Sequence, residues 1–174
     1  YYDDAMQAFD FLENMAGKIR RYVNRGRAQE FAEMNKDEEV IYVMAGAPAL
    51  GVGYAFSLCS LMETQWIHSP FVNAAEYFHG SFETLDKNLS VLQLISDGRS
   101  REEDLRAERF LKKFGKKISI LDAKELFIDE IKDTVKEYFN HVVLDVALRE
   151  YITRLAIIRK HPKEVRRYMW KMEY

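Results

Sequence analysis

The stretch VIYVMAGAPALGVG, residues 40–53, decides the fold of this chain. Its first five residues form a short apolar run rich in β-branched side chains, which is typical of a strand buried in a parallel sheet. Gly46 and Pro48 then mark a turn, followed by a helix that we expect to reach about Glu63. Such a turn can hold an anion on helix amides, or it can pack the helix closely on its strand. Pro48 lacks an amide and the G-x-G-x-x-G dinucleotide spacing is absent, so close packing is favoured.

The rest of the chain repeats this alternation of strands and helices. Further strands are predicted at residues 70–73, 90–95, 117–121 and 139–143, and helices at residues 2–34 with a break at 24–26, 101–114, 126–138 and 144–159. The alternation predicts an α/β fold, a three-layer domain with a parallel sheet of four to five strands. Ligands of such sheets bind at the carboxyl ends of the strands. We expect Gly46, Glu63 and the Asp97–Gly98 loop to come together there.

The composition excludes several classes of protein. The 174 residues include 26 basic and 28 acidic side chains, which is not the basic excess of a nucleic-acid or membrane-surface protein. Cys59 is the only cysteine, so a reducing cytoplasm is the expected compartment. No metal-binding pattern of His and Cys is visible, and we expect neither a metal nor an organic cofactor. Because the chain begins at Tyr1 and enters a helix directly, we expect it to be a piece of a longer protein.

Glu63 and His79 are the candidate catalytic pair. They lie sixteen residues apart in SLMETQWIHSPFVNAAEYFHGSFETL, residues 60–85. A carboxylate and an imidazole can move protons on a sugar. Taken singly, Glu63 is more often a solvated helix-end residue and His79 more often structural. His68, in the connection between them, has a weaker claim to function.

Two basic segments are candidates for binding a phosphate. Arg99 and Arg101 follow the third predicted strand, although a solvated loop is the favoured interpretation there. The tail, residues 160–174, is basic and aromatic and contains Arg166 and Arg167. It is either a frayed terminus or a segment that packs against another surface.

The order of these elements resembles the second sugar isomerase (SIS) module of aldose–ketose isomerases and fructosamine-6-phosphate deglycases. In that family a glutamate ends the first helix, and Leu61-Met62-Glu63 occupies this place. A Glu-x-x-His-Gly-Pro motif follows, which residues 76–81 match except that Ser81 replaces the proline. The interval from glutamate to histidine agrees as well, and the resemblance covers residues 40–174.

The resemblance implies a SIS domain over residues 37–174, preceded by a helical connection over residues 1–36. It further implies the C-terminal half of an enzyme with two such modules, acting as a homodimer with a shared active site. Glu63 and His79 would be catalytic, without a cofactor, and Arg166 and Arg167 would bind the substrate. That substrate would be a 6-phosphorylated fructosamine such as 6-phosphofructose-aspartate, cleaved to glucose 6-phosphate and an amino acid.

Two other functions stay open. An aldose–ketose isomerase of amino-sugar phosphates would be expected to carry a lysine in the region of residues 162–167. This chain has an arginine near that place, and an arginine cannot form a Schiff base. A non-catalytic module that senses sugar phosphates usually carries a helix-turn-helix domain, which is not seen here, and has no reason to keep Glu63 and His79. The Ser/Thr-rich phosphate loop of the family is missing, so phosphate binding by this half alone is expected to be weak.

Overall fold

Four parallel strands form the centre of the computed structural model, which describes residues 1–173. They are β1 (Ile41–Ala45), β2 (Phe71–Asn73), β3 (Ser90–Ile95) and β4 (Lys117–Asp122). Their order in the sheet is β2-β1-β3-β4, and Val43 of β1 lies between Phe71 and Leu92 in register. The predicted parallel sheet is confirmed, with the lower of the two expected numbers of strands. Tyr174 of the tail lies outside the described residues.

Within residues 1–173, five helices and several 3₁₀ turns surround the sheet. The helices are α1 (Tyr2–Val23), α2 (Arg27–Asn35), α3 (residues 50–65), α4 (Arg101–Phe114) and α5 (Asn140–Ile158). The break predicted at residues 24–26 is confirmed. The α3 helix has three parts, an α-helical start at Leu50–Ala55, a π-helical stretch at Phe56–Met62 and a last α-helical turn at Glu63–Gln65. π-helical turns inside α-helices occur frequently at functional sites.

The two faces of the sheet carry different layers. Because side chains alternate along a strand, Ile41, Val43 and Ala45 of β1 face one way. They share a core with buried residues of α1, α2, α3 and α5. Met44 and Val91 face the other way, into a core formed with α4 and the segment 74–84. The three-layer architecture is therefore confirmed, and α3 and the segment after β2 lie on opposite sides of the sheet.

Two predicted elements are wrong. The fifth strand, at residues 139–143, is instead the start of α5. The buried Asn140 fixes this start because its side chain accepts from the Asp97 amide at 2.7 Å and donates to the Asp97 carbonyl at 2.9 Å. The helix predicted at residues 126–138 is instead a set of short turns, since Phe127 has a left-handed backbone with φ of 64° that interrupts a helix. The apolar side chains of both segments are compatible with a strand, a helix or a set of turns, so their pattern alone could not distinguish these structures.

A buried carboxylate ties together the loops at the carboxyl edge of the sheet. Asp104 of α4 is fully buried, and it accepts from the Ser96 amide at 3.0 Å. Gly46 packs so closely that an added Cβ would lie 2.5 Å from the Asp104 carboxylate. The turn after β1 is thus filled by an internal carboxylate, which agrees with the close-packing interpretation. Burial raises the pKa of Asp104 to about 6, although the amides of Ser96 and Gly46 favour its ionised form.

Asp104 should make the fold less stable as the pH rises. Its folded pKa of about 6 lies above the ordinary value of 3.8 in an unfolded chain, so its stabilising contribution is present below pH 4 and is lost as the pH rises through 6. At 1.36 kcal/mol per unit, the loss is about 3 kcal/mol. Relative to the wild type, the free energy of unfolding of Asp104→Asn should therefore rise by about 3 kcal/mol between pH 4 and 7. Urea titrations measure it, with the exposed Asp10→Asn as control; equal pH dependence of Asp104→Asn and wild type contradicts the prediction.

Candidate functional site

Glu63 lies at the amino edge of the sheet. The α3 helix connects two parallel strands and therefore runs back along them, over about 24 Å for its sixteen residues. Just beyond it, the His68 amide donates to the Glu39 carbonyl at 2.9 Å, and His68 pairs with Val40 before β1 begins. The expectation that Glu63 joins Gly46 and the Asp97–Gly98 loop at the carboxyl edge is wrong, because the length of α3 carries Glu63 to the opposite end.

An open pocket of about 420 Å³ surrounds Glu63. It lies between the end of α3 and the C-terminal tail. Its lining combines one carboxylate, one imidazole and two guanidinium groups with apolar and aromatic side chains. The lining residues are Met62, Glu63, Trp66, Ile67, His68, Arg166, Arg167, Tyr168 and Met169. Three of the four predicted site residues, Glu63, Arg166 and Arg167, are therefore brought together, and His68 joins them.

Glu63 and Arg166 form an ion pair across the pocket wall. Nη2 of Arg166 donates to Oε1 of Glu63 at 2.7 Å. The Arg166 side chain is 11% exposed and the Glu63 side chain 29% exposed. Nη1 of Arg166 donates to the carbonyls of Lys163 and Val165, and its guanidinium group lies 5.6 Å from the Trp170 ring centroid. The surroundings of Glu63, which the sequence presents as apolar, therefore include a fixed cation. Its partner lies 103 residues away in the chain.

The C-terminal tail is anchored to the end of α3. Gln65 donates to the His161 carbonyl at 3.1 Å, and Arg159 donates to the Gln65 carbonyl at 3.4 Å. The His161 ring packs edge-on against Trp66 at 4.3 Å between centroids. Burial, helped by the nearby Arg159 and Arg167, lowers the pKa of His161. Residues 161–166 contact the end of α3, in agreement with the packing interpretation, whereas Tyr168 and Trp170 remain 66% and 80% exposed.

Trp66 takes an unusual backbone conformation beside Glu63. It ends α3 in the left-handed region, with φ of 57° and ψ of 30°. The Trp66 amide donates to the Met62 carbonyl, which is the single hydrogen bond of a left-handed helix end, where glycine is the usual residue. The Ile67 amide also donates to the Leu61 carbonyl. A bulky residue in this region is strained. The strain presents the indole to the pocket, where the Arg167 guanidinium group lies 4.0 Å from its centroid.

His79 lies away from Glu63, on the other side of the sheet. It ends the 3₁₀ turn Ala74–His79, whose start is capped by Asn73 accepting from the Ala75 amide at 3.1 Å. The buried Tyr77 holds this turn against α4. Gly80 follows with φ of 152°, a conformation that favours glycine. His79 itself is exposed and does not line the Glu63 pocket, so within one chain the structure does not bring the predicted pair together.

The other candidate groups are occupied or isolated. Arg101 forms a two-point ion pair with Asp122 at 2.6 and 2.8 Å, and Arg99 pairs with Glu137 at 2.9 Å. Both arginines of this loop are therefore ion-paired within residues 1–173. Cys59 is exposed. Within residues 1–173, no cluster of three or more His, Cys, Asp or Glu side chains could hold a metal ion, and no helix is long and apolar enough to cross a membrane.

Removing Arg166 should release the tail. A hydrogen bond between charged groups contributes about 1.5–3 kcal/mol, and this partly exposed pair should lie near the lower value. We therefore expect Arg166→Gln to make amide hydrogen exchange in residues 160–173 roughly tenfold faster, with β3 unchanged. Arg109→Gln is the matched control, because Arg109 is 63% exposed and lies 4.0 Å from Glu102. Exchange in the tail that stays at the wild-type rate shows that other contacts hold it.

Comparison with known proteins defines the family of this chain. No protein-family model matches it. Over 173 residues, 99% of the chain, it is 40% identical to fructosamine deglycase FrlB of Bacillus subtilis. Its fold matches crystal structures of proteins provisionally assigned as phosphosugar isomerases from Bacillus subtilis and Salmonella typhimurium, with TM-scores of 0.95 and 0.96 at 40% and 39% identity over 99% of the chain. The chain is therefore similar to a fructosamine deglycase, and it has the fold of a sugar isomerase (SIS) domain.

This SIS domain corresponds to part of its relatives. The chain spans 52% of the length of the Bacillus subtilis deglycase and 52–53% of the two crystallised proteins. The C-terminal domain of glucosamine-fructose-6-phosphate aminotransferase from Francisella tularensis shares the fold, with a TM-score of 0.72 at 16% identity over 93% of this chain and 46% of the other. The predicted SIS resemblance is thus confirmed.

Proposed function

We propose that the full-length protein is a deglycase that cleaves a 6-phosphorylated fructosamine, 6-phosphofructose-aspartate, to glucose 6-phosphate and aspartate. The observation that carries the proposal is the 40% identity to a fructosamine deglycase along almost the whole chain. The Glu63 pocket supports it, because a carboxylate there stands beside cations that suit an anionic substrate. The remainder of the site would come from the other half of the protein and from a second subunit.

Glu63 is proposed as the base of the reaction. It would take a proton from C1 of the open-chain substrate, which gives a 1,2-enaminol. Return of a proton to C2 converts the enaminol to an imine at C1, and water then hydrolyses this imine to glucose 6-phosphate and the free amine. These reaction steps need no outside oxidant or reductant. Arg166 would keep the Glu63 carboxylate oriented, and, unlike a lysine, it cannot form a Schiff base with the sugar.

His79 is proposed as the acid, supplied by the second subunit of a homodimer. It would protonate the ring oxygen during ring opening and assist the later proton transfer. Its exposure and its separation from Glu63 by the sheet support a site shared between subunits. The fold places the side chain on a rigid turn, since Tyr77 packs against Phe110 at 5.9 Å between centroids. An exposed histidine on a rigid turn can enter a neighbouring pocket.

The proposed function is tested by product analysis. Full-length protein incubated with 6-phosphofructose-aspartate should release glucose 6-phosphate and aspartate in equal amounts, measured by a coupled dehydrogenase assay and by amino-acid analysis. Interconversion of ketose and aldose phosphates without amine release would instead identify an isomerase. Binding of the substrate without any product would identify a sensing module.

A further inference from the structure

We infer that Trp66 and Arg167 form the receptor for an anionic oxygen group of the substrate, while Arg166 is withheld from the substrate because it holds Glu63. The inference rests on the proposed function and assigns different roles to two adjacent arginines. The group that this receptor binds is either a carboxylate or a phosphate, because both carry anionic oxygens. A 6-phosphofructose-aspartate molecule carries both groups, at opposite ends.

The two arginines differ in what they already bind. The Arg166 guanidinium group is committed to Glu63 and to the Lys163 and Val165 carbonyls, and its side chain is nearly buried. Arg167 is exposed, and no carboxylate within residues 1–173 lies at ion-pair distance from it. An exposed guanidinium group with unoccupied donors on a pocket wall is suited to bind a planar anion. Arg167 is therefore the cation that an incoming substrate can use.

Trp66 fixes the place of that cation. Stacking on an indole orients the flat guanidinium group and leaves its edge donors free, which lowers the cost of ordering a long side chain. The indole also packs edge-on against the His161 ring, which holds it in place. The strained left-handed backbone of Trp66 fits a functional role, because glycine would satisfy the same helix end without strain. Trp66 follows Glu63 by three residues, so the receptor and the proposed base lie in one pocket.

Calorimetry with two probes tests the receptor and identifies the anion. Full-length protein is titrated with glucose 6-phosphate, which carries only the phosphate, and with unphosphorylated fructose-aspartate, which carries only carboxylates. Arg167→Gln should weaken binding of one probe about tenfold or more, because a charge-assisted pair is lost. Weaker binding of glucose 6-phosphate would show that the receptor binds the phosphate of the substrate. Weaker binding of fructose-aspartate would show that it binds a carboxylate. Arg167→Lys should be intermediate, since lysine keeps the charge without the planar fork.

Two further variants keep the test decisive. Trp66→Asn removes the indole but tolerates the left-handed backbone, so it should weaken the same probe while the melting temperature stays close to that of the wild type. Arg109→Gln removes an exposed arginine elsewhere and should bind as the wild type does. The inference is overturned if Arg167→Gln binds both probes as tightly as the wild type, or if the wild type binds neither. Probe binding that depends on Arg167 without release of glucose 6-phosphate would instead refute the proposed function and leave the receptor standing.

Discussion

Glu63→Gln in the full-length protein should lower kcat/KM for 6-phosphofructose-aspartate by about 10²–10⁴-fold, the usual contribution of a positioned acid or base. Glutamine keeps the size of the side chain and can still accept a hydrogen bond from Arg166 through its amide oxygen. It cannot take a proton from C1. The loss should therefore fall on kcat, while binding of glucose 6-phosphate changes little. Steady-state kinetics and calorimetry on the same preparation separate the two effects.

Glu103→Gln is the matched control for this prediction. Glu103 is an exposed glutamate of α4 whose side chain has no hydrogen-bond or ion-pair partner among the contacts of residues 1–173. It should retain wild-type kinetics. Hydrogen exchange in residues 160–173 should also be measured for Glu63→Gln, because a released tail would disturb the pocket indirectly. A variant that keeps most of its activity shows that Glu63 is structural and that another group removes the proton.

Much of the fold could be predicted from the sequence. The strands β1, β3 and β4 are short apolar runs followed by turns, and a parallel arrangement follows from the helices between them. Prediction failed after β4, where Phe127 leaves the helical region and Asn140 fixes the start of α5 through a contact with Asp97. Both features depend on tertiary contacts or on one backbone angle, and neither leaves a periodic signal in the residues.

The site was predictable only in part. The position of Glu63 and the basic tail are visible in the sequence, but the ion pair with Arg166 joins residues 103 positions apart. The left-handed backbone of Trp66 could not be predicted from the sequence, because a tryptophan rarely adopts this conformation. Proximity in sequence also misleads for Glu63 and His79. The chain returns along α3 and then crosses to the other face of the sheet after β2, so a short interval becomes a large separation.

That separation leads to a quantitative prediction for mixed subunits. If each active site takes Glu63 from one subunit and His79 from its partner, a heterodimer of Glu63→Ala and His79→Ala has one site with both groups and one with neither. Each variant alone should be nearly inactive. After unfolding and refolding together in equal amounts, about half of the dimers are heterodimers with one site of two restored, so about a quarter of the wild-type activity should return.

Wild type mixed with the Glu63→Ala/His79→Ala double variant provides the opposite test, because both sites of that heterodimer lack one group and should be inactive. Isolated heterodimers that stay inactive in the first mixture, or keep half the activity in the second, would show that each site takes both groups from one chain. Activity retained by His79→Ala alone would show that another group, such as His68 in the Glu63 pocket, acts as the acid.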